Sequence, residues 1–290
     1  MKPYTWTFEC DCRALSYGFR VRSDIPGSDL VLGRLLAGFS CDVTGNGFRT
    51  YTLLKADEGD GATCALYLDD DRIQWGGSPG SMLDWVIADV TREALGSTER
   101  FIAVHAGAVS WMGMGVVLPA PPDSGKTTLS AGLVREGFDL LSDEAALVDP
   151  ADGLVYPFPR PVVMEPPSVD VMPGLRDELP AAYEQFTATR VHLVADDLRP
   201  GSAGGPCRIR YVIAPRYESG GETALVPVSR AEGLVLLAEN CYNLHRGGGR
   251  AVLALAGLVR GAMCYRLGIG DLGTAIGSIL DLVAPERVSP

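Results

Sequence analysis

The sequence has no long apolar run, no excess of positive charge and no set of cysteines at metal-ligand spacing. Its most apolar late stretch, 251–259, is too short to cross a bilayer, and the first ten residues lack the basic flank and apolar core of a secretory leader. A soluble, cytoplasmic protein without a membrane partner is expected. Only 25 basic side chains stand against 36 acidic ones, a net charge of −11. A surface of that sign repels a nucleic-acid backbone, so no nucleic-acid partner is expected. The seven cysteines (Cys10, Cys12, Cys41, Cys64, Cys207, Cys241 and Cys264) are odd in number and scattered through a chain too long to need staples, which suits free thiols in a reducing compartment. Cys10 and Cys12 lack the second pair that a structural zinc needs. Internal repeats and long low-complexity tracts are absent as well.

What is present is a globular chain of 290 residues, 47% hydrophobic, long enough for two cores. Residues 1–98 read as a small α+β domain and 99–290 as a second, α/β domain. In the first, alternating segments near 4–9 and 15–22 predict strands and 30–39 an amphipathic helix. Asn46-Gly47 and 57–61 predict turns, and Asp69-Asp70-Asp71 predicts a solvated hairpin tip. A helix face runs from Met82 to Leu95, and Gly96-Ser97-Thr98 breaks it. In the second domain, 101–110 and 114–118 read as paired strands, 126–136 as a helix and 138–141 as a strand. Five prolines between 157 and 167 predict extended or looping chain with no regular helix. Residues 199–206 read as a flexible glycine-rich loop, and 207–214 with 222–228 as a strand pair around Ser219-Gly220-Gly221. Ser229 with Glu232 forms a capping-box pattern. Beyond it come a helix over 250–260, a strand over 263–267 and a terminal helix capped by Asp271.

The segment with chemistry in it is Ala120-Pro121-Pro122-Asp123-Ser124-Gly125-Lys126-Thr127-Thr128. It fits the relaxed form of a phosphate-binding loop: a small residue, four variable positions, then Gly-Lys-Thr. An apolar strand precedes it and a helical pattern follows, the order such a loop requires. A helix starting near Gly125 aims backbone N–H groups and its positive dipole end at a phosphate. Lys126 adds a point charge and Thr127 a hydroxyl for magnesium, with Pro122, Asp123, Ser124, Gly125 and Thr128 completing the expected nucleotide contacts. The interval from Lys126 to Asp143-Glu144 holds one helix and one strand and no more. Two carboxylates at that place put one near the metal and let the other accept a proton from an attacking hydroxyl; the spacing does not say which does which. Among the arginines, Arg160, between two prolines, is the first choice to meet transferring-phosphate charge. Glu165 is a candidate second magnesium contact.

Together with His105 on the strand before the loop strand, this constellation resembles the catalytic domain of the HPr kinase/phosphorylase family, whose fold is similar to that of the phosphoenolpyruvate carboxykinases. The resemblance implies a P-loop α/β catalytic domain preceded by a small α+β domain. It implies His105 as an active-site polar residue, Lys126 on phosphates, Thr127 on magnesium, and Glu144 as proton acceptor beside Asp143. The family has two aspartates where this chain has Asp143-Glu144, and a glycine-led loop where it has Ala120-Pro121-Pro122. Segments 141–150, Pro157-Phe158-Pro159-Arg160-Pro161, Pro215-Arg216-Tyr217 and Ala238-Glu239-Asn240 look closer to the divergent HPr-kinase-related proteins.

What the resemblance implies is an ATP- and Mg2+-dependent kinase acting on a Ser or Thr hydroxyl of a peptide or small protein, with a ribosomally made precursor peptide as one such acceptor. Two other readings fit the same residues: a kinase for a small-molecule hydroxyl, and a non-catalytic nucleotide-binding regulatory module. The donor (ATP, GTP or pyrophosphate) and the number of subunits, a homo-oligomer included, stay open.

Overall fold

The computed structural model describes residues 5–39, 48–55, 64–179, 183, 186 and 190–283. Cys41 and the turn signals Asn46-Gly47 and 57–61 lie outside them. Up to residue 98 the elements are β1 (Phe8–Ala14), β2 (Tyr17–Ser23), α1 (Ser28–Leu35), β3 (Arg49–Lys55), β4 (Cys64–Leu68), β5 (Asp71–Trp75) and α2 (Pro79–Ser97). Next come β6 (Ile102–Trp111), β7 (Met114–Pro119), α3 (Lys126–Arg135), β8 (Asp139–Ser142), β9 (Ala145–Val148) and β10 (Val155–Tyr156). A third stretch holds β11 (Val162–Met164), α4 (Pro166–Asp170), α5 (Leu175–Glu178), β12 (Val191–Leu193) and α6 (Ala195–Leu198). The last holds β13 (Arg208–Tyr217), β14 (Ala224–Val228), α7 (Arg230–Glu239), α8 (Leu244–Arg260), β15 (Met263–Ile269) and α9 (Leu272–Val283).

These elements form two compact units, Met1–Thr98 with Pro159–Asp197, and Glu99–Phe158 with Leu198–Pro290. The expected division into 1–98 and 99–290 shares the break after Thr98, but 159–197 clusters with the first unit.

In the first unit, β1-β2-β3-β4-β5 form one sheet, antiparallel except between β2 and β3. The hairpin tip at Asp69 is as expected. Its carboxylate accepts from the Thr50 N–H at 2.8 Å and from Arg49 at 2.6 Å, which fixes the turn. The proline-rich stretch contains a short helix after all, because Pro166 and Pro167 open α4. Proline is tolerated in a first turn, where its missing N–H had no partner to lose.

The second unit carries a mixed sheet in the order β10-β9-β6-β7-β13-β15-β14, with β8 also on β6. It is an α/β arrangement. Val104, Ala106 and Ala108 of β6 join Leu255, Leu258 and Val259 of α8 in one buried cluster. Intervening Gly107 faces the other way, where a Cβ would come within 2.4 Å of Ser130 Oγ; its bare backbone lets α3 lie close on β6.

Two expectations fail here. First, β13 and β14 do not pair, because β15 lies between them, parallel to β13 and antiparallel to β14. The continuous burial of residues 211–215 marks a central strand with neighbours on both sides, which a hairpin reading misses. Second, the glycine-rich 199–206 loop is tied down: Leu140 N–H donates to Ser202 O at 2.7 Å and Gly204 N–H to Leu140 O at 2.8 Å, covering the outer edge of β8. The capping box is half made. Ser229 accepts from Glu232 N–H at 3.1 Å, while the Glu232 carboxylate pairs with Arg266. Asp271 caps α9 as expected, accepting from Thr274 N–H at 2.8 Å.

The connection from α7 to α8 lies along the end of β6. Tyr242 N–H donates to Ala103 O at 2.9 Å. Asn243, only 5% exposed, accepts from Ala103 N–H at 3.0 Å through Oδ1 and donates to Phe101 O at 2.9 Å through Nδ2. Asn243→Ala strands a buried N–H and a buried carbonyl and is expected to lower stability by roughly 1–3 kcal/mol; urea unfolding of the variant beside the parent chain measures it.

Candidate active site

β7 ends at Pro119 and the chain turns through an exposed lip, 121–123, before sinking at Ser124. Asp123 (φ 62°) and Gly125 (φ 87°) both adopt the left-handed conformation, which aspartate tolerates and glycine takes without strain. Gly125 is the N-cap of α3, and no side chain caps that first turn. The orphan N–H groups of a helix start therefore face the loop, with the positive end of the dipole behind them. Ser124 Oγ is buried in the same loop without a hydrogen-bond partner. An anion seated there would satisfy it, so these residues fit a phosphate.

Lys126 is 6% exposed, and its Nζ donates to Pro121 O at 2.7 Å, bridging the mouth of the loop. Burial pushes its amine below the ordinary lysine range, partly opposed by Glu144, Asp143 and Asp123. Thr127 Oγ1 lies 3.5 Å from Asp143 Oδ2. Asp143 itself is 2% exposed. Among the described residues no three or more His, Cys, Asp or Glu gather as a metal cage. Magnesium needs none, since phosphate oxygens and water fill most of its octahedron beside one hydroxyl and one carboxylate.

The acids follow the end of β8, as expected, and a second strand, β9, begins directly after them. β9 keeps one register on β6, with His105 opposite Ala145; β8 shares it only at Ser142, opposite Ala108, because the pairing shifts by one residue between Ala108 and Val109, and Asp143 and Glu144 lie between the two strands. Ser142 Oγ shapes this junction by accepting from the N–H groups of both Glu144 (3.1 Å) and Ala145 (3.0 Å). The two carboxylates thereby separate. Asp143 meets Thr127, while Glu144 accepts from Tyr242 OH at 2.5 Å and lies 3.7 Å from His105 Nε2. The His105 and Tyr242 rings sit 5.4 Å apart, and the backbone N–H of His105 donates to the backbone carbonyl of Asn240 at 2.7 Å.

Of the residues expected from sequence, the second unit thus brings together His105, the loop 122–128, Asp143 and Glu144. Arg160 and Glu165 belong to the first unit, where Glu165 pairs with Arg190 at 2.8 Å. Ser142, Tyr242 and Asn243 escape sequence reasoning. A serine just before two acids is a turn signal that could have marked Ser142, but nothing local to Tyr242 links it to a glutamate 98 residues away.

No protein-family model matches the chain, and no curated protein matches it in sequence. Solved structures that resemble it include the HPr(Ser) kinase/phosphatase from Coxiella burnetii, at 12% identity over 64% of this chain and 96% of that one, with a TM-score of 0.32. That is a distant likeness, too slight to carry an argument about this chain. Among the described residues no helix is long and apolar enough to cross a membrane.

The buried amine has a measurable signature. The folded pKa of Lys126 lies below its unfolded value, so between the two the unfolded chain holds more protons on this group and stability rises with pH. Lys126→Met is expected to flatten that alkaline rise relative to the parent chain, as read by urea unfolding at stepped alkaline pH.

Proposed function

We propose that the chain is a phosphotransferase that binds ATP with Mg2+ in the 120–128 loop and transfers the terminal phosphoryl group to a hydroxyl, that of a Ser or Thr on a peptide or small protein. The observation behind this reading is the separation of the two acids, Asp143 at Thr127 and Glu144 at His105 and Tyr242. A loop that only holds nucleotide needs the first acid. The second, partly open to solvent, suits a proton acceptor.

On this reading Lys126 exchanges its bond to Pro121 O for phosphate oxygens, and Ser124 Oγ gains the partner it lacks. Thr127 and Asp143 hold the cation, whose chemistry is to neutralise charge on the phosphate oxygens. Glu144 takes the acceptor hydroxyl's proton, and Tyr242 and His105 fix its carboxylate in place. The acceptor class rests on the motif resemblance to the HPr kinase/phosphorylase family. A reducing, cytoplasmic setting suits the seven scattered cysteines, odd in number.

The test is to incubate the protein with ATP, Mg2+ and peptides encoded beside its gene, and to look by mass spectrometry for one added phosphate. Lys126→Ala is expected to abolish transfer. Glu144→Gln is expected to lower turnover by about 10²–10⁴-fold with ATP affinity retained. Full turnover in Glu144→Gln removes the assigned base, and ATP binding without transfer to any hydroxyl, small molecules included, favours a regulatory module.

A further inference from the structure

The phosphate loop has two flanks, and only one carries acids. β7, which feeds the loop, has β6 and the β8–β9 ladder on one side and β13 on the other. Because β13 runs parallel to β7, its last residue, Tyr217, arrives at the same edge of the sheet as the loop. Its backbone is fixed there. Tyr217 N–H donates to Ser124 O at 3.1 Å, and its Cβ lies in contact distance of Gly125, 3.4 Å from where a Cβ on that glycine would stand.

Opposite Tyr217 in the parallel register is Ile269, the end of β15, whose Cδ1 lies 3.9 Å from that same Cβ position on Gly125. Glu218 N–H donates to Ile269 O at 3.0 Å, so the strand ends are joined beyond the ring as well. Tyr217 is nevertheless 54% exposed. A large aromatic side chain with its backbone bonded to a phosphate loop and its ring open to water is a prepared surface for a flat apolar partner.

The direction of a bound nucleotide follows from the same geometry. A phosphoryl group poised for transfer must lie toward Asp143 and Glu144. The nucleoside then leaves the loop on the opposite side, over the ends of β13 and β15. We propose that Tyr217 is the platform on which the nucleobase stacks, with Ile269 flanking it, so that affinity for the donor is divided between a loop that holds any polyphosphate and a ring that holds the base. This rests on the phosphotransferase reading for the direction of the phosphate chain.

The experiment separates the two ideas by using a ligand without a base. Isothermal titration of ATP and of inorganic tripolyphosphate, each with Mg2+, is run on the parent chain, Tyr217→Ala and Tyr217→Phe. Tyr217→Ala is expected to weaken ATP by roughly tenfold and to leave tripolyphosphate unchanged, the latter showing that the loop is intact; Tyr217→Phe keeps the ring and stays near the parent for both. Equal weakening of both ligands in Tyr217→Ala, or an unchanged ATP affinity, overturns the platform while the loop reading stands. A parent chain that binds neither ligand overturns the loop reading and the platform with it.

Discussion

Strand direction is the constraint on which the candidate site depends. β6 is antiparallel to β7 and also to the β8–β9 ladder, so β7 and β8 run the same way with one strand between them. A chain leaving the end of β7 must cross β6 before it can re-enter the sheet in the same direction, and α3 makes that crossing. The loop at the start of the crossing and the acids at the end of β8 therefore share one edge of the sheet. The short interval between Lys126 and Asp143 is the length of one crossover. Gly107 belongs to the same constraint, because a side chain there would lift α3 off β6 through Ser130 and carry Thr127 away from Asp143.

Burying a lysine amine beside a carbonyl is unfavourable unless something offsets its desolvation. Pro121 O, with Asp143, Glu144 and Asp123 acting through space, offsets part of it, but burial remains the largest influence on the group. Ser124 Oγ, a short way along the chain, is a buried polar atom without a partner. Both deficits lie in one loop at the positive end of one helix. A polyanion meets both at once, and the interactions that would hold it are costs the folded chain already carries.

Much of this arrangement is legible in the sequence, because much of it is local. Gly-Lys-Thr after an apolar strand specifies a helix start, and the short run to Asp143-Glu144 specifies a single crossover. Asp271, Ser229 and the Asp69 tip are read correctly because caps and turns are decided within a few residues. The failures share a cause too. The non-pairing of β13 and β14, the resumption of pairing on β6 by β9 and the bond from Tyr242 to Glu144 each depend on a partner far along the chain. A run such as 211–215 reads as a strand in any context; only its neighbours β7 and β15 make it central. The proline segment failed locally, since crowding alone does not exclude a helix when the prolines fall in its first turn.

The carboxylate of Glu144 is oriented by residues from two distant parts of the chain, His105 on β6 and Tyr242 between α7 and α8. The second arrives only because Asn243, Tyr242 and Asn240 bond the connecting segment to the backbone of β6 at Phe101, Ala103 and His105. That seam consists of hydrogen bonds to main chain, so it holds the segment in register whatever side chains β6 presents. If Glu144 takes the proton, its aim is set by the α7–α8 connection and not by the loop. The phosphate loop, the acids and the Tyr242 segment can then change separately in sequence, with the loop governing how a polyphosphate is held and the Tyr242 segment governing which hydroxyl Glu144 can face.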